Sequence, residues 1–97
     1  MNTNFICLNL IANSNNPIIR VIEQDRFYSI YIYFKCLTKE NLMIKYINNF
    51  LILTLSLRNK NDELLTFNRM LYLNNVDIDK LQNTINTNFI YLKLPKI

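Results

Sequence analysis

Glycine, histidine and tryptophan are absent from this 97-residue chain, and alanine occurs once, at Ala12. Without glycine there is no glycine-rich loop to hold a phosphate group, and without histidine there is no usual general base near neutral pH. The acidic pairs 62–63 and 77/79 fall in predicted turns, where solvated carboxylates are far more common than catalytic ones. We therefore predict that the protein is not an enzyme and uses no cofactor or metal.

Charge is also sparse, and the net charge of +4 comes from scattered Lys and Arg residues. A diffuse excess of this size is weak support for nucleic acid binding, which we do not expect. The two cysteines, Cys7 and Cys36, show no metal-ligand spacing, so we expect free thiols in a reducing compartment. No apolar run approaches the ~18 residues of a membrane span. Any membrane contact is expected to be peripheral or through partners.

Asparagine occurs seventeen times and isoleucine fourteen times, which is unusually often for a chain of this length. Both are encoded by A- and T-rich codons, whereas the scarce residues need G or C. We therefore expect a very AT-rich genome, such as that of a protist organelle or a reduced intracellular symbiont. A genome of this kind favours a mitochondrial, organelle-encoded protein, located on the matrix side or associated with the membrane. The alternative is the cytoplasm of an AT-rich bacterium.

Alternation of apolar and polar residues predicts a series of short β-strands. It is clearest over residues 50–57, where Leu51, Leu53, Leu55 and Leu57 share one face. The predicted strands cover residues 18–23, 27–34, 42–47, 50–57, 65–73, 81–85 and 89–94, with a further edge strand at 4–12. Seven or eight strands joined by short turns indicate an all-β protein with an antiparallel β-sandwich.

The connections between these strands carry turn residues. The pair Asn48–Asn49 predicts a two-residue hairpin, because asparagine tolerates positive φ nearly as glycine does. Residues 38–41 and 58–63 are predicted turns, and residues 76–79 a helical turn with acids at its N-terminus. The Asn- and Ser-rich residues 13–16 before Pro17 predict a linker. We therefore divide the chain into an N-terminal edge strand and linker (1–16) and one sandwich domain (17–97).

Several strands are apolar or aromatic on both faces, which indicates a contact surface or the tolerance of tyrosine for either environment. Tyr31 and Tyr33 oppose the apolar face of their strand, and Tyr72 and Tyr91 lie on later strands. Their rings could stack on single-stranded RNA, but no stripe of Lys and Arg accompanies them, which favours protein contact. Arg69 is the one charge on an apolar face, where its stem can pack while its head reaches water.

The order of these motifs resembles the small heat-shock protein family, whose α-crystallin domain (Hsp20/p23-like) is an immunoglobulin-like sandwich. No single motif is strong, but the order and spacing match over residues 17–96. The matching segments are 17–23, 28–34 followed by 38–41, the Phe-x-Arg strand 67–73, and Asn83 with 88–96. Asn74, Asn83 and Asn88 stand where the family has Pro, Ala and Gly.

The resemblance implies that Arg69 forms an ion pair at a protein interface. The sequence also departs from the family pattern in two respects. The short segment 58–64 replaces the long loop that carries an exchanged strand, so we do not expect homo-oligomers formed by strand exchange. The chain also stops at Ile97, where the family continues into an assembly tail, so we expect a relative without the oligomerisation extensions.

The leading hypothesis from the sequence is a non-enzymatic protein-interaction module, an accessory structural subunit of a larger assembly such as a mitochondrial respiratory complex. Its partners would be the other protein subunits of that complex, and its predicted interface residues are Tyr31, Tyr33, Arg69, Tyr72 and Tyr91. The alternative is an ATP-independent holdase chaperone of the small heat-shock type. A third hypothesis is an organellar ribosomal protein, which would show salt-sensitive RNA binding.

Overall fold

The computed structural model describes residues 16–35 and 38–97. These residues form seven β-strands, and they contain no α-helix. The strands are β1 (Ile18–Glu23), β2 (Phe27–Tyr33), β3 (Thr38–Ile47), β4 (Phe50–Arg58), β5 (Leu64–Tyr72), β6 (Gln82–Ile85) and β7 (Phe89–Pro95). The predicted strand at 4–12, and both cysteines, lie outside the described residues.

The strands pair into two antiparallel sheets. Sheet A has the order β1-β2-β7-β6, and sheet B has the order β3-β4-β5. The chain enters sheet A, builds sheet B from three consecutive strands and returns to sheet A, which is how a sandwich is closed. The predicted all-β antiparallel sandwich is therefore confirmed.

The core lies between the sheets and follows the period-2 pattern of the sequence. In β4 the four leucines are buried, while Phe50, Ile52, Thr54 and Ser56 alternate with them on the outer face. The other core residues come mainly from β2 and β7, with two from the segment after β5. They are Tyr28, Ile30, Ile32, Phe34, Leu73, Val76, Ile90, Leu92 and Leu94.

The turns depend on asparagine and aspartate where other chains use glycine. Asn48 and Asn49 have φ values of 52° and 70°, which confirms the predicted hairpin between β3 and β4. Asp62 (φ 62°) lies in the turn between β4 and β5, where the Asn59 side-chain oxygen accepts backbone hydrogen bonds from residues 61 and 63. These short polar side chains tolerate the left-handed region and hydrogen-bond the local backbone.

The prediction of a turn at residues 38–41 is wrong, because β3 already begins at Thr38. Thr38 pairs with Arg58, so the long β4 supplies hydrogen-bond partners along the whole of β3. The polar residues are accommodated by a register shift between Lys39 and Asn41 and by an ion pair of 2.9 Å between Glu40 and Arg58. The helical turn expected at 76–79 is present as a 3₁₀ turn over Ile78–Lys80.

The edge strands of the two sheets lie over one another in pairs. Pro17 and Ile19, at the start of β1, line the same cavity as Phe67 and Arg69 of β5. One open side of the sandwich is therefore formed by β1 and β5, which leaves β6 and β3 as the edges of the other side. The two broad outer faces of the sheets and this open side between β1 and β5 are the surfaces to consider for function.

Candidate protein-interaction surfaces

The five predicted interface residues are distributed over three places. Tyr31, Tyr33 and Tyr91 lie together on the outer face of sheet A, where Tyr31 and Tyr91 are paired across β2 and β7. Tyr72 lies on the outer face of sheet B, the opposite side of the molecule. Arg69 lies on the inner face of β5, opposite Leu53. The structure thus brings together three of the five, and it does not place Tyr72 beside Tyr91.

The aromatic group on sheet A, which we call the tyrosine cluster, consists of Tyr31, Tyr33, Phe89 and Tyr91. Tyr31 is 4.9 Å from Tyr91 and 6.1 Å from Tyr33, measured between ring centroids, and Tyr33 is 5.9 Å from Phe89. The Tyr91 hydroxyl also lies 3.1 Å from the hydroxyl of Ser29, which is buried. Because the rings cover one another, all four are only half-exposed, and the main effect of the cluster is to stabilise sheet A.

Two cations flank the tyrosine cluster rather than forming a basic stripe. Arg20 is paired with Tyr31 across β1 and β2, and Lys93 is paired with Ser29 across β7 and β2. The Lys93 ammonium lies 4.6 Å from the centroid of the Phe27 ring, a cation–π distance. This arrangement offers little free ring surface or charge to a nucleic acid.

The outer face of sheet B carries an apolar surface that the sequence prediction largely missed. The sheet B patch consists of Met43, Ile47, Phe50, Ile52, Met70 and Tyr72. Pairing places Ile47 beside Phe50, Phe50 beside Tyr72 and Ile52 beside Met70, so these five side chains adjoin across all three strands. Met43 is paired with Thr54 and is separated from Ile47 by Lys45 on the same face of β3. Met70 and Tyr72 are the most exposed, at 59% and 61%.

The contacts within the sheet B patch are few. Phe50 and Tyr72 meet edge to face, with ring centroids 5.4 Å apart. Lys45 is paired with Ile52 and places a positive charge beside the patch. A signal for the patch was present in the sequence, since each of three consecutive strands has apolar residues at outward positions, but only the strand register shows which of these positions are adjacent.

The third surface is the opening between β1 and β5, which we call the mouth. It leads into a cavity of about 310 Å³. The lining residues are Asn16, Pro17, Ile19, Ile32, Leu53, Leu55, Thr66, Phe67, Asn68 and Arg69. Ile32 and Leu53 come from the second strand in from each edge, so the cavity extends between the sheets.

The charged side chains of the described residues form several ion pairs. Lys96 donates a 2.7 Å hydrogen bond to Glu23, and this bond is the main reason that the pKa of Lys96 is raised above its ordinary value of 10.5. Residues 16–35 and 38–97 contain no cluster of three His, Cys, Asp or Glu side chains that could bind a metal. In the same ranges no helix has the length and hydrophobicity needed to cross a bilayer.

The same architecture is found in known protein structures. No family model and no curated protein matches the sequence. Among solved structures, heat shock protein 16.0 from Schizosaccharomyces pombe superimposes with a TM-score of 0.71 at 18% identity, covering 84% of this chain and 87% of that one. The chain has the fold of the small heat shock proteins.

Two further structures support the assignment of the small heat shock fold. HspA from Xanthomonas axonopodis has a TM-score of 0.70 at 12% identity, covering 82% of this chain and 92% of the other. HSP18.5 from E. histolytica has a TM-score of 0.65 at 20% identity, covering 82% and 86%. The predicted α-crystallin, Hsp20-like fold is therefore confirmed, while the low identities limit the similarity to the fold.

Proposed function

We propose that this chain is an ATP-independent holdase chaperone of the small heat shock type, which binds apolar segments of unfolding proteins through the sheet B patch. The observation that carries the proposal is this exposed apolar surface on a small heat shock fold. The largest apolar patches of monomeric proteins cover about 300–600 Å² and are often functional. No nucleotide chemistry is required, since binding depends only on apolar contact.

The sheet B patch offers a client apolar contact from side chains on one sheet face. Such contact needs no fixed polar partner, so it can hold a short apolar segment weakly and release it. Weak, reversible binding is what a holdase needs.

The composition of the sheet B patch also suits varied clients. Two of its six residues, Met43 and Met70, have flexible, polarizable side chains that adapt to partners of different shape. Both are about half-exposed or more, at 49% and 59%. Lys45, which borders the patch, keeps a charge beside the apolar surface and so limits self-association of the free chaperone.

The proposal is tested by measuring light scattering from a reduced, aggregating client such as insulin, without ATP, in the presence of the full chain. We expect suppression of scattering near equimolar ratios, and we expect Met70→Lys to require roughly fivefold more protein for the same effect, because a charge at one of the most exposed positions of the patch opposes apolar contact. Absence of suppression by the unmodified chain at molar excess would refute the holdase proposal.

The matched control for this experiment is Thr66→Lys. Thr66 is exposed and lies on the same face of β5 as Met70, but it is paired with Ser56, outside the sheet B patch. The same charge is thus added to the same strand and face. We expect Thr66→Lys to suppress aggregation as the unmodified chain does. Equal losses in both variants would mean that net charge, and not the patch, determines the activity.

The accessory-subunit hypothesis stays a prediction, as does the mitochondrial location. The same exposed patch would be consistent with it if further surfaces contributed to a permanent contact. Native-gel migration with mass spectrometry of the co-migrating proteins distinguishes the two. A fixed set of partner subunits at constant ratio would favour the accessory subunit and overturn the holdase, whereas a varied population of partners that increases on heating supports the holdase.

A further inference from the structure

The cavity between β1 and β5 has the character of a ligand site that client binding does not use. We infer that the mouth binds a small amphiphile with a carboxylate head and an unbranched apolar tail, of the medium-chain fatty acid class. The tail would enter between the two sheets, and Arg69 at the rim would bind the carboxylate. This site is separate from the sheet B patch, which lies on the outer face of the same sheet.

The cavity is lined by apolar residues on its inner side and by Asn16, Thr66, Asn68 and Arg69 on its polar side. Ile19 and Ile32 of sheet A face Leu53, Leu55 and Phe67 of sheet B across it. Ile32 and Leu53 belong to the core, with exposures of 1% and 2%, so a ligand that reaches them enters a region shielded from water. Burial of each methylene group there is favourable by about 0.8 kcal/mol.

The charge at the rim determines the kind of head group. Among the residues that the structure describes, Arg69 is the only charged one that lines the cavity, and none of those lining it is acidic. Its side chain is exposed, and it forms no hydrogen bond or ion pair with any residue in the ranges 16–35 and 38–97. A guanidinium group binds a carboxylate through two parallel hydrogen bonds. Arg69 is therefore available for an anionic head group.

The dimensions of the cavity determine the kind of tail. Its volume of about 310 Å³ is at the lower end of the range of roughly 300–1,000 Å³ found for small-molecule sites. The lining reaches one strand inward from each edge, and neighbouring strands are about 4.8 Å apart. The end of an unbranched alkyl chain can enter to this depth while the rest of the chain lies along the opening between β1 and β5.

Isothermal titration calorimetry of the full chain with decanoate, below its micelle concentration, tests this inference. We expect one site, and we expect Arg69→Gln to weaken decanoate binding roughly tenfold or more, because a charge-assisted contact is lost. Decan-1-ol has the same tail without the charge, and its binding should be unchanged by Arg69→Gln. Since Arg69 is exposed, this variant is expected to fold normally.

The matched control is Arg26→Gln, which removes the same charge from an exposed turn at the other end of β1. Unchanged decanoate binding by Arg26→Gln supports the site, and equal weakening by both variants would overturn it in favour of net charge. Methyl NMR gives the location. Shifts at Ile19, Leu53 and Leu55 support the cavity, whereas shifts confined to Met43 and Met70 would assign decanoate to the sheet B patch and refute the proposal.

Arg69 has a second candidate partner, which is an acidic group on another protein chain. If the unmodified chain binds no decanoate, and Arg69→Gln instead changes the mass of the protein in solution, Arg69 belongs to a contact between chains. That result would also overturn the ligand site. The holdase assay is independent of these outcomes, because it reports on Met70 and not on Arg69.

Discussion

The outer faces of the two sheets contain similar kinds of residues but differ in what these residues contact. On sheet A the rings of the tyrosine cluster lie on one another and are half-exposed, with Tyr31 and Tyr91 4.9 Å apart. On sheet B the patch residues Met70 and Tyr72 are about 60% exposed, and the patch has only one ring contact. An aromatic or apolar residue at an outward position is therefore not by itself an interaction site.

This difference in exposure distinguishes outward side chains that stabilise the fold from those that can bind a partner. Outward side chains that cover one another remove apolar surface from water and strengthen their own sheet. Outward side chains that remain exposed contribute little to stability and are available to a partner. We therefore assign the tyrosine cluster mainly to the stability of sheet A and the sheet B patch to client binding.

The largest effect is expected from a matched pair of tyrosines, one on each face. Tyr91→Ala should lower the free energy of unfolding by about 3 kcal/mol, because it removes the contact with Tyr31 and the hydrogen bond to Ser29. Tyr72→Ala should lower it by less than about 1 kcal/mol, since the ring is mostly exposed. Urea unfolding followed by circular dichroism measures both. Equal losses would contradict the distinction between the two faces.

A smaller effect is expected from two hydroxyl groups, again one on each face. Ser29→Ala removes the bond to Tyr91 at a buried position and should cost about 1 kcal/mol of unfolding free energy. Thr54→Val removes a 2.9 Å bond to the Asn68 side chain on the exposed face of sheet B, and we expect a change of about 0.3 kcal/mol or less. The same urea unfolding experiment applies, and a larger loss in Thr54→Val would reverse the assignment.

The smallest effect is expected from two ion pairs at the ends of the sheets. Lys96–Glu23 lies at the end of sheet A, and Arg58–Glu40 lies at the end of sheet B. The hydrogen bond to Glu23 raises the pKa of Lys96. The Lys96–Glu23 pair therefore contributes its full stabilisation when the pH is below 10.5, the ordinary pKa of lysine. That stabilisation is lost as the pH rises through the raised pKa of Lys96. Lys96→Gln should lower the melting temperature by roughly 3 °C or less at neutral pH.

The pH dependence separates the two ion pairs. The difference in melting temperature between the unmodified chain and Lys96→Gln should disappear in strongly alkaline solution. Arg58→Gln, which removes the other ion pair, is the matched control, and its difference in melting temperature should not follow this pH dependence. Thermal melts of the three proteins at neutral and alkaline pH provide the comparison. If the difference in melting temperature between the unmodified chain and Lys96→Gln were the same at every pH, the stabilisation would not depend on the charge of Lys96.

The strands were predictable where the sequence carries a strong local signal. The leucines of β4 alternate without exception, and Asn48–Asn49 predicts the hairpin that the structure contains, because few residues other than Asn tolerate two successive positive φ angles. The prediction at 38–41 was wrong for a tertiary reason. Thr38 and its neighbours have turn chemistry, but pairing with the end of β4 supplies their hydrogen bonds in extended form.

The candidate interaction surfaces were less predictable than the fold, because they depend on which strands are neighbours. Tyr31 and Tyr33 were correctly placed on an outward face, but the sequence alone gave no reason to separate Tyr72 from Tyr91. Met43 and Met70 are 27 positions apart in the chain, and only the register of β3, β4 and β5 places them on one patch. The position of Arg69 at a cavity likewise depends on β1 lying over β5.

The left-handed turns of this chain also affect its unfolded state. The four residues with positive φ are Asn48, Asn49, Asp62 and Asn75, positions that glycine would fill with less strain. A side chain at such a position restricts the unfolded backbone, so less conformational entropy is lost on folding, by about 0.4–1 kcal/mol per site relative to glycine. A chain that contains no glycine at all therefore begins folding from a less flexible ensemble, and this offsets part of the strain in its turns.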